Sequence, residues 1–191
     1  MKRMLVFVIL AAFLLPTADS ADQKKLRIVM VTKAVHPYYE PCYEGFKAAG
    51  AKYKVTVERG DPQKMELPLQ VRSIEELIAQ KVDGIAISAV DDAGLVPVIA
   101  EATKAGIKVI TFDAPAPSSK ALTYIGTDNK TAGFEAGKKM ATLMKGEGKL
   151  VVLQGGLGAA NLNLRTQGFK EALAKHGAFM GGQDFAQWHG N

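Results

Sequence analysis

The 191 residues, 48% hydrophobic and 23% charged, suffice for one ordinary domain or two small lobes. The net charge of +5 is spread over scattered lysines, with only Lys24, Lys25 and Arg27 close together. No helix-turn-helix or zinc-finger pattern accompanies it, so the basic excess reads as a solvated surface and no nucleic-acid partner is expected. The lone cysteine, Cys42, excludes an intrachain disulfide and a zinc site built from cysteines.

The chain opens like an export signal. Lys2 and Arg3 precede an apolar run of 12 residues, Met4 to Leu15. Pro16-Thr17-Ala18-Asp19-Ser20 then supplies a helix breaker and small residues suited to cleavage after Ser20. The run falls short of the ~20 residues a bilayer span needs. No cysteine follows it, as a lipoprotein would require. Residues 1–20 are therefore expected to be a cleaved signal peptide and the remainder a periplasmic protein carrying +4, since Lys2, Arg3 and Asp19 leave with the signal.

From residue 26 two periods alternate. Leu26–Thr32 is a short β-branched run of the kind buried on both faces of a sheet. A helix is predicted over Pro37 to Lys52, with Cys42, Phe46 and Ala49 on its apolar stripe and Cys42 an inert core thiol. Val55–Glu58 reads as a strand, and Val71, Ile74, Leu77 and Ile78 mark an amphipathic helix. Asp83-Gly84 turns the chain into a strand over Ile85–Val90. Asp91 caps a helix striped by Leu95, Val98, Ile99 and Ala102 and ended by Gly106. Strands over Ile107–Phe112 and Leu122–Gly126 follow. Asp128 or Asn129 caps a helix carrying Phe134, Ala136, Met140 and Met144, whose Gly133-x-x-x-Gly137 suits tight approach to a sheet. Leu150–Leu153 and a helix around Arg165–Lys175 repeat the theme. The alternation predicts an α/β fold, a doubly wound parallel sheet with helices on both faces.

In such sheets ligands bind beyond the carboxyl ends of the strands. That rule selects Lys33 to Tyr39 after the first strand, Asp61, Asp91-Asp92, Asp113, and the Gly155-Gly156-Leu157-Gly158 loop with Asn161 and Arg165. A carboxylate and a guanidinium offer directed bonds to polyol hydroxyls, and an aromatic ring packs on a sugar's C–H face. Asp113 with Arg165 suits the first task, Tyr38 and Tyr39 the second. Neither His176 nor His189 has a partner at ligand spacing, so no metal or cofactor is expected.

Five stretches together carry a resemblance: His36-Pro37-Tyr38-Tyr39 with Gly45-Phe46, Val82-Asp83-Gly84-Ile85, Val109-Ile110-Thr111-Phe112-Asp113, Ile125-Gly126-Thr127-Asp128-Asn129, and Arg165-Thr166-Gln167-Gly168-Phe169. In this order and spacing the chain from Lys25 to Asn191 resembles the ribose-type periplasmic binding proteins, the two-lobed sugar receptors of ABC importers. The resemblance implies capture of a monosaccharide or related polyol between lobes without catalysis, a permease partner and a monomeric state. It points to Tyr38, Tyr39 and Trp188 as stacking aromatics, to Asp113 and Arg165 as hydroxyl binders, and to Asn161 on the same face as Arg165. Thr127 and Asp128 match the first hinge crossing. His36 stands where many ribose binders carry asparagine, and Ala114 where they carry arginine, which argues against ribose itself.

The resemblance also divides the chain into a first lobe over 21–127 and a partial second lobe over 128–191, and the chain is expected to bind sugar poorly or not at all on its own. Two other readings compete. A sensor or chemotaxis receptor would share the fold. A nucleotide-binding enzyme would use Gly156-Leu157-Gly158-Ala159-Ala160-Asn161, but the third glycine of that fingerprint is Asn161 and export supplies no dinucleotide.

Overall fold

The computed structural model describes residues 25–176 and the backbone of 185–189; residues 1–20 and the side chain of Trp188 lie outside the described residues. Five parallel strands form the first sheet: β1 (Arg27–Val31), β2 (Thr56–Arg59), β3 (Gly84–Ile87), β4 (Lys108–Phe112) and β5 (Tyr124–Ile125). Their order is β2-β1-β3-β4-β5. The crossovers carry α1 (Glu40–Tyr53), α2 (Leu67–Ala79) and α3 (Asp92–Lys104), as parallel pairing demands. Beyond β5 come α4 (Asn129–Met144), β6 (Leu150–Gln154), α5 (Ala160–Lys175) and β7 (Phe185–His189). The last strand pairs parallel with β6 in a separate sheet, Leu153 opposite Trp188. This is the predicted α/β architecture.

The main core lies between the first sheet and α2 and α3. Val29, Val31, Ile85, Ile87 and Val109 point from the strands into Ile74 and Leu77 of α2 and Leu95, Val98 and Ile99 of α3, all buried. Each such side chain contributes roughly 1.5–3 kcal/mol by leaving water. Local signals set the helix ends. Asp91 Oδ1 accepts from Gly94 N at 2.7 Å, and Asp128 Oδ1 accepts from Thr131 N at 3.1 Å. Gly106 closes α3 at φ +87°, a conformation that costs glycine nothing.

Three local expectations are corrected. Pro37–Tyr39 forms a separate 3-10 turn before α1. The inner face of α1 then runs through Tyr43, Phe46 and Gly50, while Cys42 and Ala49 are exposed. The large Tyr43 ring takes the inward position and lies 5.1 Å beneath the Arg59 guanidinium, an amphipathic contact that small Cys42 does not offer. Second, β5 has only two residues, although Leu122 N and Thr123 O already bond to Val109 O and Thr111 N of β4. Third, the inner face of α4 is Asn129, Gly133, Gly137 and Ala141 rather than its bulky residues. Those glycines admit α5, not a sheet: a Cβ on Gly137 would lie 2.9 Å from Ala172 Cβ.

Candidate functional site

In the order 2-1-3-4-5, the chain leaves β1 toward one side and β3 toward the other. The crevice that opens between them at the carboxyl ends is where such sheets bind ligands. Here that crevice is organised by Gln70, fully buried on α2. Its Nε2 donates to Thr32 O and Ser88 O, both at 2.8 Å, and its Oε1 accepts from Val90 N at 2.9 Å. One amide thus fixes the exits of β1 and β3. Sequence reasoning missed it, although a glutamine at i−4 from Ile74 on an apolar stripe is a detectable anomaly.

Asp113 ends β4 inside this crevice. Its φ is +57°, and Ala114 N donates to Phe112 O across it. An i to i+2 bond around a positive-φ residue is a γ-turn, a rare and strained conformation. The turn aims the carboxylate back over β3. There Oδ2 accepts from Ser88 Oγ at 2.7 Å and from Tyr39 OH at 3.3 Å. Oδ1 accepts from Tyr38 OH at 3.0 Å. Tyr39 OH and Ser88 Oγ also meet at 3.2 Å. Among the described residues, every side chain that donates to this carboxylate does so through a hydroxyl, the functional group of a polyol.

The other strand-end acids are consumed by structure. Asp61 accepts from Thr32 N at 2.8 Å and pairs with Arg59. Asp91 caps α3, and Asp92 holds Ser118 through N and Oγ. The Asp113 carboxylate, by contrast, is bonded among the described residues only by side-chain hydroxyls, one of them on the exposed Tyr38.

The two tyrosines differ. Tyr39 is 5% exposed and Tyr38 60%, with their rings edge to face at 5.1 Å. Burial, with the Asp113 charge beside it, pushes the Tyr39 phenol well above its usual range. The Asp113 charge is the main cause of a smaller rise at Tyr38. Tyr38 therefore presents an open aromatic face and Tyr39 an anchored hydroxyl. His36 uses Nδ1 to accept from Tyr38 N at 3.1 Å, capping the turn that carries both rings.

Lys33, only 9% exposed, lies where β1 ends. Burial lowers its pKa, partly offset by the Asp113 charge. Its ammonium donates to Asn161 Oδ1 at 3.3 Å, so the first-sheet crevice touches α5 directly. A second touch is Asp92 N to Gly158 O at 3.0 Å. Arg165, one turn beyond Asn161, is exposed. It donates from Nε to Asn129 Oδ1 at 2.8 Å and is close enough to act on the Tyr38 phenol. The sequence-selected His36, Tyr38, Tyr39, Asp113, Asn161 and Arg165 thus gather on one side of the sheet. Trp188 joins only as a backbone position on β7. Lys33 and Ser88 complete the group. Thr127 and Asp128 lie in the crossing from β5 to α4, beside a cavity of about 510 Å³ that Asp113 does not line.

The glycine loop before α5 does not resemble a phosphate cradle. Gly158 packs against the Asp91 carboxylate, which repels an anion. Among the described residues no group of three His, Cys, Asp or Glu side chains converges as a metal site.

A parallel 2-1-3-4-5 sheet with a polar crevice at its switch point defines an α/β ligand-binding fold. Residues 28–188 match the periplasmic binding protein domain, and the chain belongs to that family. Over 186 residues it is 28% identical to a D-ribose/D-allose-binding protein of Pseudomonas aeruginosa, covering 90% of this chain and 58% of that protein. Two solved structures superpose well. One is an ABC transporter solute-binding protein from Burkholderia graminis in complex with D-arabinose, with TM-score 0.79, 34% identity and coverage of 88% of this chain and 57% of that one. The other is a glucose-galactose binding protein from Geobacillus stearothermophilus, with TM-score 0.77, 32% identity and coverage of 87% and 58%. The chain thus spans less than two thirds of the length of these relatives.

Proposed function

We propose that this chain is the sugar-contacting portion of a periplasmic solute-binding protein that delivers a monosaccharide or polyol to an ABC importer. The carrying observation is the Asp113 carboxylate, held in a strained turn at the strand ends and bonded by three side-chain hydroxyls. A sugar hydroxyl offers the same donor as Tyr38 OH. Binding on this reading is an exchange in which the ligand takes Oδ1 and the exposed Tyr38 ring moves to cover a C–H face. Lys33 and Arg165 supply further donors, and Asn161 and His36 flank them. No bond in the ligand is broken: preformed polar groups replace its water, and closure of the lobes retains it.

The lobes on this proposal are 21–127 and 128–191, hinged at Thr127-Asp128, behind a cleaved signal at 1–20. The closed form would dock on the permease as a monomer. The names of the relatives, which include D-ribose, D-allose, D-arabinose, glucose and galactose binders, support an aldose or its alcohol as the ligand class. A thermal-shift panel of aldopentoses, aldohexoses and pentitols tests this. At least one member should raise Tm in the wild type and not in Asp113→Asn. A uniform lack of response, or an equal response in the variant, contradicts the assignment.

A further inference from the structure

Resting on that reading, we infer that Tyr124 and Asn129 are positioning residues that tie the two charged ligand groups, Asp113 and Arg165, to each other through the crossing between the lobes. Tyr124 OH directs its single proton at the main-chain oxygen of Asp113 at 2.9 Å, with Thr127 O sharing it at 3.2 Å. Asn129 is 3% exposed. Its Nδ2 donates to Tyr124 OH at 3.1 Å and to Thr127 O at 3.0 Å. Its Oδ1 accepts from Arg165 Nε at 2.8 Å. A continuous path of hydrogen bonds therefore runs from the γ-turn of one lobe to the guanidinium of the other.

Two features show that the path is built rather than incidental. A Cβ on Gly126 would lie 2.6 Å from the Tyr124 ring carbon Cζ, so glycine there lets the phenol fold back over the crossing. A Cβ on Gly133 would lie 2.7 Å from the Arg165 carbonyl carbon and nearer still to its oxygen, so α4 pins the arginine's main chain while Asn129 pins its head. Among the described residues, Nε to Asn129 is the guanidinium's only hydrogen bond. Neither Nη group has a hydrogen-bond partner among the described residues, and Asn129 sets the fork's plane. A buried amide with both donors and its acceptor used favours one arrangement over others, because any shift strands a polar group. The order of side chains thus fixes the angle at which Arg165 faces Asp113.

The test reads Arg165 itself, by the exchange rate of its Nε–H with solvent in side-chain nitrogen NMR of the full chain. Tyr124→Phe should speed that exchange by up to about tenfold, the scale of one lost hydrogen bond. Asn129→Leu should remove the protection, and Asn129→Asp, which keeps an acceptor, should restore it. A purely structural role would lower Tm in all three without this ordering. Unchanged exchange in Tyr124→Phe and Asn129→Leu overturns the inference. In parallel, D-arabinose and D-ribose are titrated. Where the wild type responds, Tyr124→Phe should weaken the response several-fold, and equal affinity overturns the positioning role. If the wild type responds to neither sugar, the receptor reading fails for both, and the exchange ordering alone upholds or overturns the link.

Discussion

Asp113 carries two separable properties, its charge and its backbone. At φ +57° asparagine is tolerated far better than alanine. Asp113→Asn should therefore fold normally and, in a receptor of its relatives' full length, lose about 2–4 kcal/mol of sugar affinity, as hydroxyls lose a charged acceptor. Asp113→Ala should show the same loss and in addition about 1 kcal/mol less stability. Calorimetric titration and urea melts separate the two effects. Lys33 gives a pH signature. Its folded-state pKa lies below the ordinary 10.5, so between the lowered value and 10.5 the unfolded chain holds more protons than the folded one. Stability contributed by this site therefore rises with pH across that window, and the full cost of burying the ammonium is felt below it. Lys33→Met should remove the slope, seen as a wild-type-minus-variant difference in urea stability that changes with pH. A difference independent of pH would mean that the ammonium is solvated.

Among the elements, glycine positions discriminate packing from propensity. Gly45, on the exposed side of α1, has nothing within 4 Å of where a Cβ would stand, so Gly45→Ala should stabilise the protein by about 0.4–1 kcal/mol. Gly133 sits against the Arg165 backbone, and Gly133→Ala should cost about 1–3 kcal/mol by forcing α4 and α5 apart. Chemical denaturation of the pair reads both signs. The same elements show what the sequence could reveal. Strand positions were legible because β1, β3 and β4 are apolar on both faces, and caps such as Asp91 because their chemistry is local. The faces of α1 and α4 were not. A stripe of Cys42, Phe46 and Ala49 is as helical as Tyr43, Phe46 and Gly50, and only the neighbour decides between them. In α4 the bulky residues drew attention, while the contact is made where side chains are missing.

At the scale of the molecule, the rule that ligands gather at strand carboxyl ends selects Asp113, Tyr38 and Arg165 from the sequence alone. Lys33 falls within the selected loop but gains no rank from sequence, since its partner Asn161 lies far along the chain on α5. Ser88 and Tyr124 were invisible, because each acts on a residue distant in sequence or through the main chain of another; Gln70 stood out only as a polar residue on an apolar stripe, and Asn129 only as a cap candidate. The proposed sugar binding rests on one convergence: a carboxylate bonded by hydroxyls at the switch point, with cations supplied from the loop after β1 and from α5. Its most direct measurement is a nuclear magnetic resonance titration of the chain with the aldose and pentitol panel, which registers weak binding as well as strong. Saturable shifts should gather at Ser88, Asp113, Tyr38 and Arg165 and be lost in Asp113→Asn. Shifts confined to the opposite end of the sheet, around Leu26, Val82 and Gly106, or no shift with any sugar, would contradict it.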